Sequence, residues 1–194
     1  MKVIIKNARG AFLNLWEPKS FGDNGGEARC NGSFILDPKS QKAEVDKIKA
    51  AIQEVAKEKW GAKALDILKT LSAKGDLCLQ DGATKSEYDG FEGMVYVSAG
   101  NKARPQVLDR DKSPLTQSDG RPYSGCYVNV SIDVWAQDNK FGKRVNAKLL
   151  AVQFHADGEA FSGGEGYADT DFDDESSSGE GGGSTDDSSD GFFA

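Results

Sequence analysis

Tyr127 and Trp135 stand on one side of an alternating run, Ser124 to Ala136, whose other side is already apolar. Cys126, Val128, Val130, Ile132 and Val134 make the apolar face, and Tyr127, Asn129, Ser131, Asp133 and Trp135 make the other. A flat ring on a face the core does not need is a surface on which a planar base can stack, worth roughly 1–3 kcal/mol per base. The same parity also suits a ring covered by a second layer, either the helix over 41–60 or a dimer partner. Phe12 and Trp16 share parity on an earlier extended segment, Tyr96 sits mid-strand, and Phe21, Tyr88, Phe91 and Tyr123 lie near polar or Gly-rich loops. Large aromatics also serve as core, so each of these has two readings. Cations interleave with the rings: Lys2, Lys6, Arg9, Lys102, Arg104, Arg110, Lys112, Arg121, Lys140, Lys143, Arg144 and Lys148. Stacking platforms beside a row of cations are what a single nucleic-acid strand requires. Lys47, Lys49, Lys57 and Lys59 fall on a helix and read as its solvated face.

The charge distribution supports this pairing of rings and cations. The chain of 194 residues has a net charge of −7, yet every one of its 24 Lys and Arg residues lies at or before Lys148. Residues 1–156 carry 19 carboxylates and residues 157–194 carry 12, so the body is +5 and the tail −12. Such sign asymmetry marks a basic binding body followed by an acidic tail. From Asp157 the composition shifts to Gly, Ser, Asp and Glu, with too little apolar surface to offset ordering entropy, so disorder is expected. Gly191-Phe192-Phe193-Ala194 breaks that pattern. An acidic tether with an aromatic tip, Asp186, Asp187 and Asp190 followed by Phe192 and Phe193, reads as a protein-docking motif. A merely solubilising tail would have no need of the two rings.

The elements that must position these groups are mostly strands. Val3–Ala8 and Ala11–Trp16 read as two extended segments broken at Arg9-Gly10, residues 17–28 as a polar loop, and Cys30–Leu36 as a third strand. Asp37-Pro38 supplies a helix start. Val45, Ile48, Ile52, Val55 and Trp60 follow helical spacing, and Ala64, Leu65, Leu68 and Leu71 carry a second short helix. Strands resume at Gly93–Ala99, a polar loop fills 104–122, and Ser124–Ala136 pairs with Val145–Phe154 across Asp138-Asn139-Lys140-Phe141-Gly142. At least five strands with a helical insertion after the third predict a mainly β chain, an OB-fold five-stranded Greek-key barrel over 1–156.

Other chemistries find little support. The chain has one histidine, His155, no Cys-x-x-Cys spacing and no Walker pattern, so neither a zinc site nor a phosphate-binding loop is expected. Asp169-Thr170-Asp171-Phe172-Asp173 imitates a calcium loop, but Asp174 replaces its sharp-turn glycine. Asp109, Asp111 and Asp133 could in principle serve a two-metal nuclease, and nothing in their spacing favours it. No catalytic constellation and no cofactor are expected. Cys30, Cys78 and Cys126 are odd in number and widely spaced, which suits reduced, buried thiols. The N-terminus lacks the apolar block of a signal peptide, and no apolar run approaches a membrane span, so a bacterial cytoplasm is the expected compartment.

Pro122-Tyr123-Ser124-Gly125-Cys126-Tyr127-Val128-Asn129-Val130, running on through Asp133-Val134-Trp135-Ala136-Gln137-Asp138-Asn139-Lys140-Phe141-Gly142-Lys143-Arg144-Val145-Asn146, resembles a family of phage and prophage single-stranded DNA-binding proteins, long of unknown function. The N-terminal strand-and-loop region and the ending from Val152-Gln153-Phe154 to Phe161-Ser162-Gly163-Gly164 are similar too. That family is distantly like the single-stranded DNA-binding proteins of short-tailed coliphages. The resemblance implies an OB fold, roles in phage replication and recombination, and an acidic tail that contacts replication enzymes. Tails of those relatives end in an aromatic, whereas Phe193 is here followed by Ala194. The function expected is sequence-nonspecific binding and protection of single strands. A strand-annealing mediator, a nuclease and an adaptor that never touches DNA are the rivals.

Overall fold

The computed structural model describes residues 1–20 and 27–161. Phe21 in the first loop, the calcium-like run after Asp169 and all five tail candidates, Asp186, Asp187, Asp190, Phe192 and Phe193, lie outside the described residues.

Among the described residues seven strands form one sheet: β1 (Lys2–Lys19), β2 (Arg29–Leu36), β3 (Leu79–Asp81), β4 (Val95–Asn101), β5 (Gln106–Leu108), β6 (Tyr127–Asn139) and β7 (Gly142–Ala156). Their order is β3-β4-β2-β1-β6-β7-β5, and β4 also pairs with β7. The circuit β1-β2-β4-β7-β6 is therefore a closed five-stranded barrel, the OB fold, with β3 and β5 added at its margins. Closure is parallel and rests on one register pair, Gly100 with Lys148. The side-chain amide of Asn101 reinforces it by donating to the carbonyl of Leu149 at 3.0 Å.

β1 corrects the expectation of two segments. It is one strand whose first half pairs with β6 and whose second half pairs with β2. The irregularities fall at Asn7 (φ 53°) and Phe12 (φ 51°), on either side of Arg9-Gly10. Such bulges bend a strand and let it serve two sides of a barrel. The helical insertion consequently follows the second strand, and the third strand of the barrel is β4.

Helix α1 (Lys42–Trp60) buries Val45, Ile48, Ala51, Ile52, Val55 and Ala56. Their helical spacing is the stripe that plugs the barrel. The helix begins later than Asp37-Pro38 suggests. The Asp37 carboxylate accepts from the Lys39 backbone N–H and the Ser40 hydroxyl, both at 2.8 Å, and so caps the turn ahead of it. Helix α2 (Ala64–Lys74) buries Ala64 and Leu71 but leaves Leu65 exposed. The expected polar loop over 104–122 is more structured than its composition implies. It contributes β5, parallel to β7, and sends Val107 and Leu115 into the core.

The alternation in β6 holds: Cys126, Val128, Val130, Ile132 and Val134 are at most 1% exposed. A smaller apolar cluster sits outside the barrel, where residues between β3 and β4 fold over β1, β2 and β4. It buries Ala11, Ile35, Phe91 and Tyr96.

The three cysteines are buried free thiols. Burial pushes Cys78 up to about 12 and Cys126 up to about 11. In the unfolded chain both ionise near the ordinary value of about 8.5. Between those values the unfolded chain has lost protons that the folded chain keeps, so stability is full below about pH 8.5 and declines as pH rises towards 11. Urea midpoints should therefore fall from pH 8 to pH 10, and Cys78→Ala should flatten that slope. A slope unaltered by the substitution would place the ionising groups elsewhere.

Candidate nucleic-acid interface

The two rings singled out on β6 do not form one site. Eight residues of strand separate them, about 27 Å at the usual rise. Trp135 is 43% exposed, whereas Tyr127 is half-buried. Residues 157–161 form a strap across the Tyr127 end. A β-carbon added at Gly158 would stand 3.1 Å from the Tyr127 ring. Arg9 donates from Nε to the Gly125 carbonyl at 3.0 Å and from Nη2 to the Glu159 carbonyl at 2.8 Å. Its guanidinium also lies over the Phe161 ring, 4.2 Å from the centroid. The Tyr123 hydroxyl lies 3.1 Å from Asp157 Oδ1 and 3.0 Å from the Gly158 carbonyl. Tyr123 and Tyr127 thus hold the strap.

Trp135 lines an open cavity of about 270 Å³. Arg29 and Asn31 reach it from β2, Ser98 and Gly100 from β4, and Arg144 and Asn146 from β7. These side chains converge because Asn31 is in register with Gly100, and Gly100 with Lys148. Tyr96, two residues before Ser98, points to the same side of β4, but the outer cluster covers it. It is only 3% exposed, and its hydroxyl donates to Gln80 Oε1 at 2.7 Å. Tyr96 is therefore not a stacking platform, a correction to the sequence reading.

Ion pairs tune the cations around this groove. Arg144 Nη2 meets Asp76 Oδ1 at 2.6 Å. Lys143 pairs with Asp138, and that lysine, with the Trp60 indole N–H, holds the Asp138 carboxyl below its ordinary value. Lys102 pairs with Glu27, and its hydrogen bond likewise lowers the Glu27 carboxyl. Among the described residues no carboxylate lies within ion-pair distance of Lys148. Trp16 is half-buried with the Arg104 guanidinium 4.8 Å above its ring. Trp16 lies near the end of β1, Lys102 and Arg104 follow the end of β4, Lys148 sits mid-β7 in register with Gly100, and Lys140 is in the β6–β7 turn; none of them lines the cavity.

The remaining candidates lie elsewhere. Phe12 is 38% exposed, edge-on to Tyr88 with centroids 5.0 Å apart, and Lys85 stands 4.9 Å over its ring. Burial depresses the Lys85 ammonium from its ordinary value. Arg121 pairs with Asp109 at 3.5 Å and packs over Phe154 on the β5 side. Sequence reasoning missed Arg29, Asn31, Ser98 and Asn146. The alternation Arg29-Cys30-Asn31 around a buried thiol was the available signal. It also treated Phe141, 78% exposed, only as part of a turn.

Comparison with known proteins agrees with this fold. The family described as Enterobacter phage Enc34, ssDNA-binding protein, matches residues 1–181. Protein p50 of Acyrthosiphon pisum secondary endosymbiont phage 1 is 44% identical over 176 residues, which is 90% of this chain and 94% of that protein. The single-stranded DNA-binding protein of bacteriophage Enc34, solved in complex with ssDNA, superposes with a TM-score of 0.71 at 28% identity, covering 82% of this chain and 88% of that one. gp2.5, a single-stranded DNA-binding protein encoded by bacteriophage T7, shares the fold alone, with a TM-score of 0.50 at 12% identity over 80% of this chain and 91% of that one. The family is named for binding and not for catalysis. A closed five-stranded barrel with a ring-and-cation groove and a family match over nearly its whole length place this chain in the Enc34 phage single-stranded DNA-binding protein family.

Proposed function

We propose that the protein binds and protects single-stranded DNA without sequence preference during phage DNA replication and recombination in the host cytoplasm. The observation that carries this reading is the groove in which Trp135 stands with Arg29 and Arg144, polar side chains of β2, β4 and β7 between them. A ring offers its face to any base, and the cations track phosphates, so affinity arises without readout of base edges.

The acidic segment after the strap acts on the same cations. Its carboxylates compete with DNA for the body, and its Phe192-Phe193 tip recruits replication proteins when DNA displaces it. Both attractions are electrostatic and weaken with salt. The test compares binding of a fluorescent oligo-dT by the full chain and by one ending at Gly163 over a salt series. The shortened chain should bind more tightly at low salt, and both should weaken as salt rises. Equal affinities would remove the competition, and no binding by either would leave an adaptor without DNA contact as the better reading.

A further inference from the structure

A second cleft, larger than the first, opens between α2 and the β6–β7 hairpin, with a volume of about 720 Å³. Lys63, Asp66, Ile67, Thr70, Leu71 and Lys74 of the α2 side line it. Their spacing puts them on one helix face. Phe141 and Arg144 line the opposite wall, with Gly142 and Lys143 between them. The rim carries four cations against two carboxylates; Arg144 engages Asp76 and Lys143 pairs with Asp138 outside the cleft, which leaves Lys63 and Lys74 against Asp66.

We propose that this cleft is a second segment of the single-strand track, so that DNA leaving the β2–β4–β7 groove passes Arg144 and continues along α2. The inference rests on the binding reading above and extends it to a surface outside the barrel. Three observations carry it. Asp76 and Arg144 line both cavities, so the two adjoin across that ion pair and one strand can reach both over it. Lys63 and Lys74 stand at the two ends of the helix face, about 16 Å apart along its axis, a span that several nucleotides cover. Finally, Phe141 projects from the two-residue turn between Asn139 and Gly142. An exposed ring alone means little, but this one stands at the mouth of a cationic cleft, with the Lys140 ammonium 5.0 Å from its centroid. A base can stack on it while phosphates meet the two lysines.

An acidic protein segment would also be drawn to such a rim. Continuity with the first groove favours the DNA strand, because a separate protein ligand has no need of a shared wall.

The discriminating variable is oligonucleotide length. A strand of about 6 nucleotides fills only one part of a track, and one of about 20 exceeds the usual footprint of a single OB fold. The full chain would be compared with Lys63→Ala/Lys74→Ala and with Phe141→Ala, using fluorescent oligo-dT of both lengths across a salt series. All three side chains are exposed, so folding should be unaffected. With the longer strand, the double variant should bind several-fold more weakly and its log–log salt slope should shrink by about 1.4, the value for two single-strand phosphate contacts. Phe141→Ala should lose roughly fivefold or more on the longer strand. Neither variant should alter binding of the short strand. Equal losses at both lengths would overturn the second segment, since the residues would then serve the first groove. No loss at either length, with the parent binding both, would also overturn it and leave the cleft to an acidic protein segment. If the parent binds neither length, the binding reading itself fails, a result distinct from the other two.

Discussion

Replacing Trp135 with alanine is expected to weaken binding of oligo-dT roughly 5- to 150-fold, the equivalent of removing one base–ring stack. The ring is 43% exposed, while its neighbour Val134 is fully buried, so the loss falls on the outer face of β6. Trp135 also borders a shallow cavity with Met1, Val55 and Lys59, so part of its surface packs at the edge of α1. Truncation should therefore lower stability somewhat as well, and the unfolding midpoint must be measured beside the affinity. Trp135→Phe separates the two roles, because a smaller ring keeps a stacking face and should retain most of the binding. Anisotropy titrations at fixed salt would decide. Parent-like affinity for the alanine variant would make the ring a cover for α1 and move the platform to Trp16 or Phe141.

The second large effect is expected at the strap. Gly125 has φ 107°, a conformation unfavourable to any side chain, and a β-carbon there would stand 2.2 Å from the Glu159 carbonyl oxygen. Backbone strain of this kind costs of order 1–3 kcal/mol. The clash adds to it unless residues 157–161 lift away. Gly125→Ala should thus lower the melting temperature by about 2–4 °C for each kcal/mol lost. Amide exchange at 157–161 should accelerate, because the Arg9 and Tyr123 contacts to Glu159, Asp157 and Gly158 are released together. Oligo-dT binding by this variant should stay close to that of the parent, since the strap lies at the opposite end of β6 from Trp135. An unchanged melting temperature with unchanged exchange would mean that the strap adjusts without leaving its seat.

Much of the barrel was legible because alternation is local. The parity of β6 can be read from five apolar residues in a row of ten, and the stripe of α1 from helical spacing. What stayed hidden depends on which strand lies beside which. Asn31, Ser98 and Asn146 are far apart in sequence and become neighbours only through the registers that join β2, β4 and β7. Tyr96 shows the same limit from the other side. Its strand position suggested an open ring, yet residues 82–92, which carry no strand signal, fold back to cover it. β1 was divided at Arg9-Gly10 because a strand that changes partners has a polar, irregular middle, and composition alone reads such a middle as an end.

The closure between β4 and β7 has a consequence for how grip and rigidity relate. The barrel is sewn shut by a short stitch, Gly100 to Lys148 with the Asn101–Leu149 hydrogen bond beside it, and the groove lies directly across it, with Asn31 and Ser98 on one side and Arg144 and Asn146 on the other. A ligand bridging those residues would lace the two edges together from outside. Whatever opens the stitch pulls the groove apart, and whatever fills the groove holds the stitch closed, so breathing of the barrel and release of its cargo are two faces of one equilibrium.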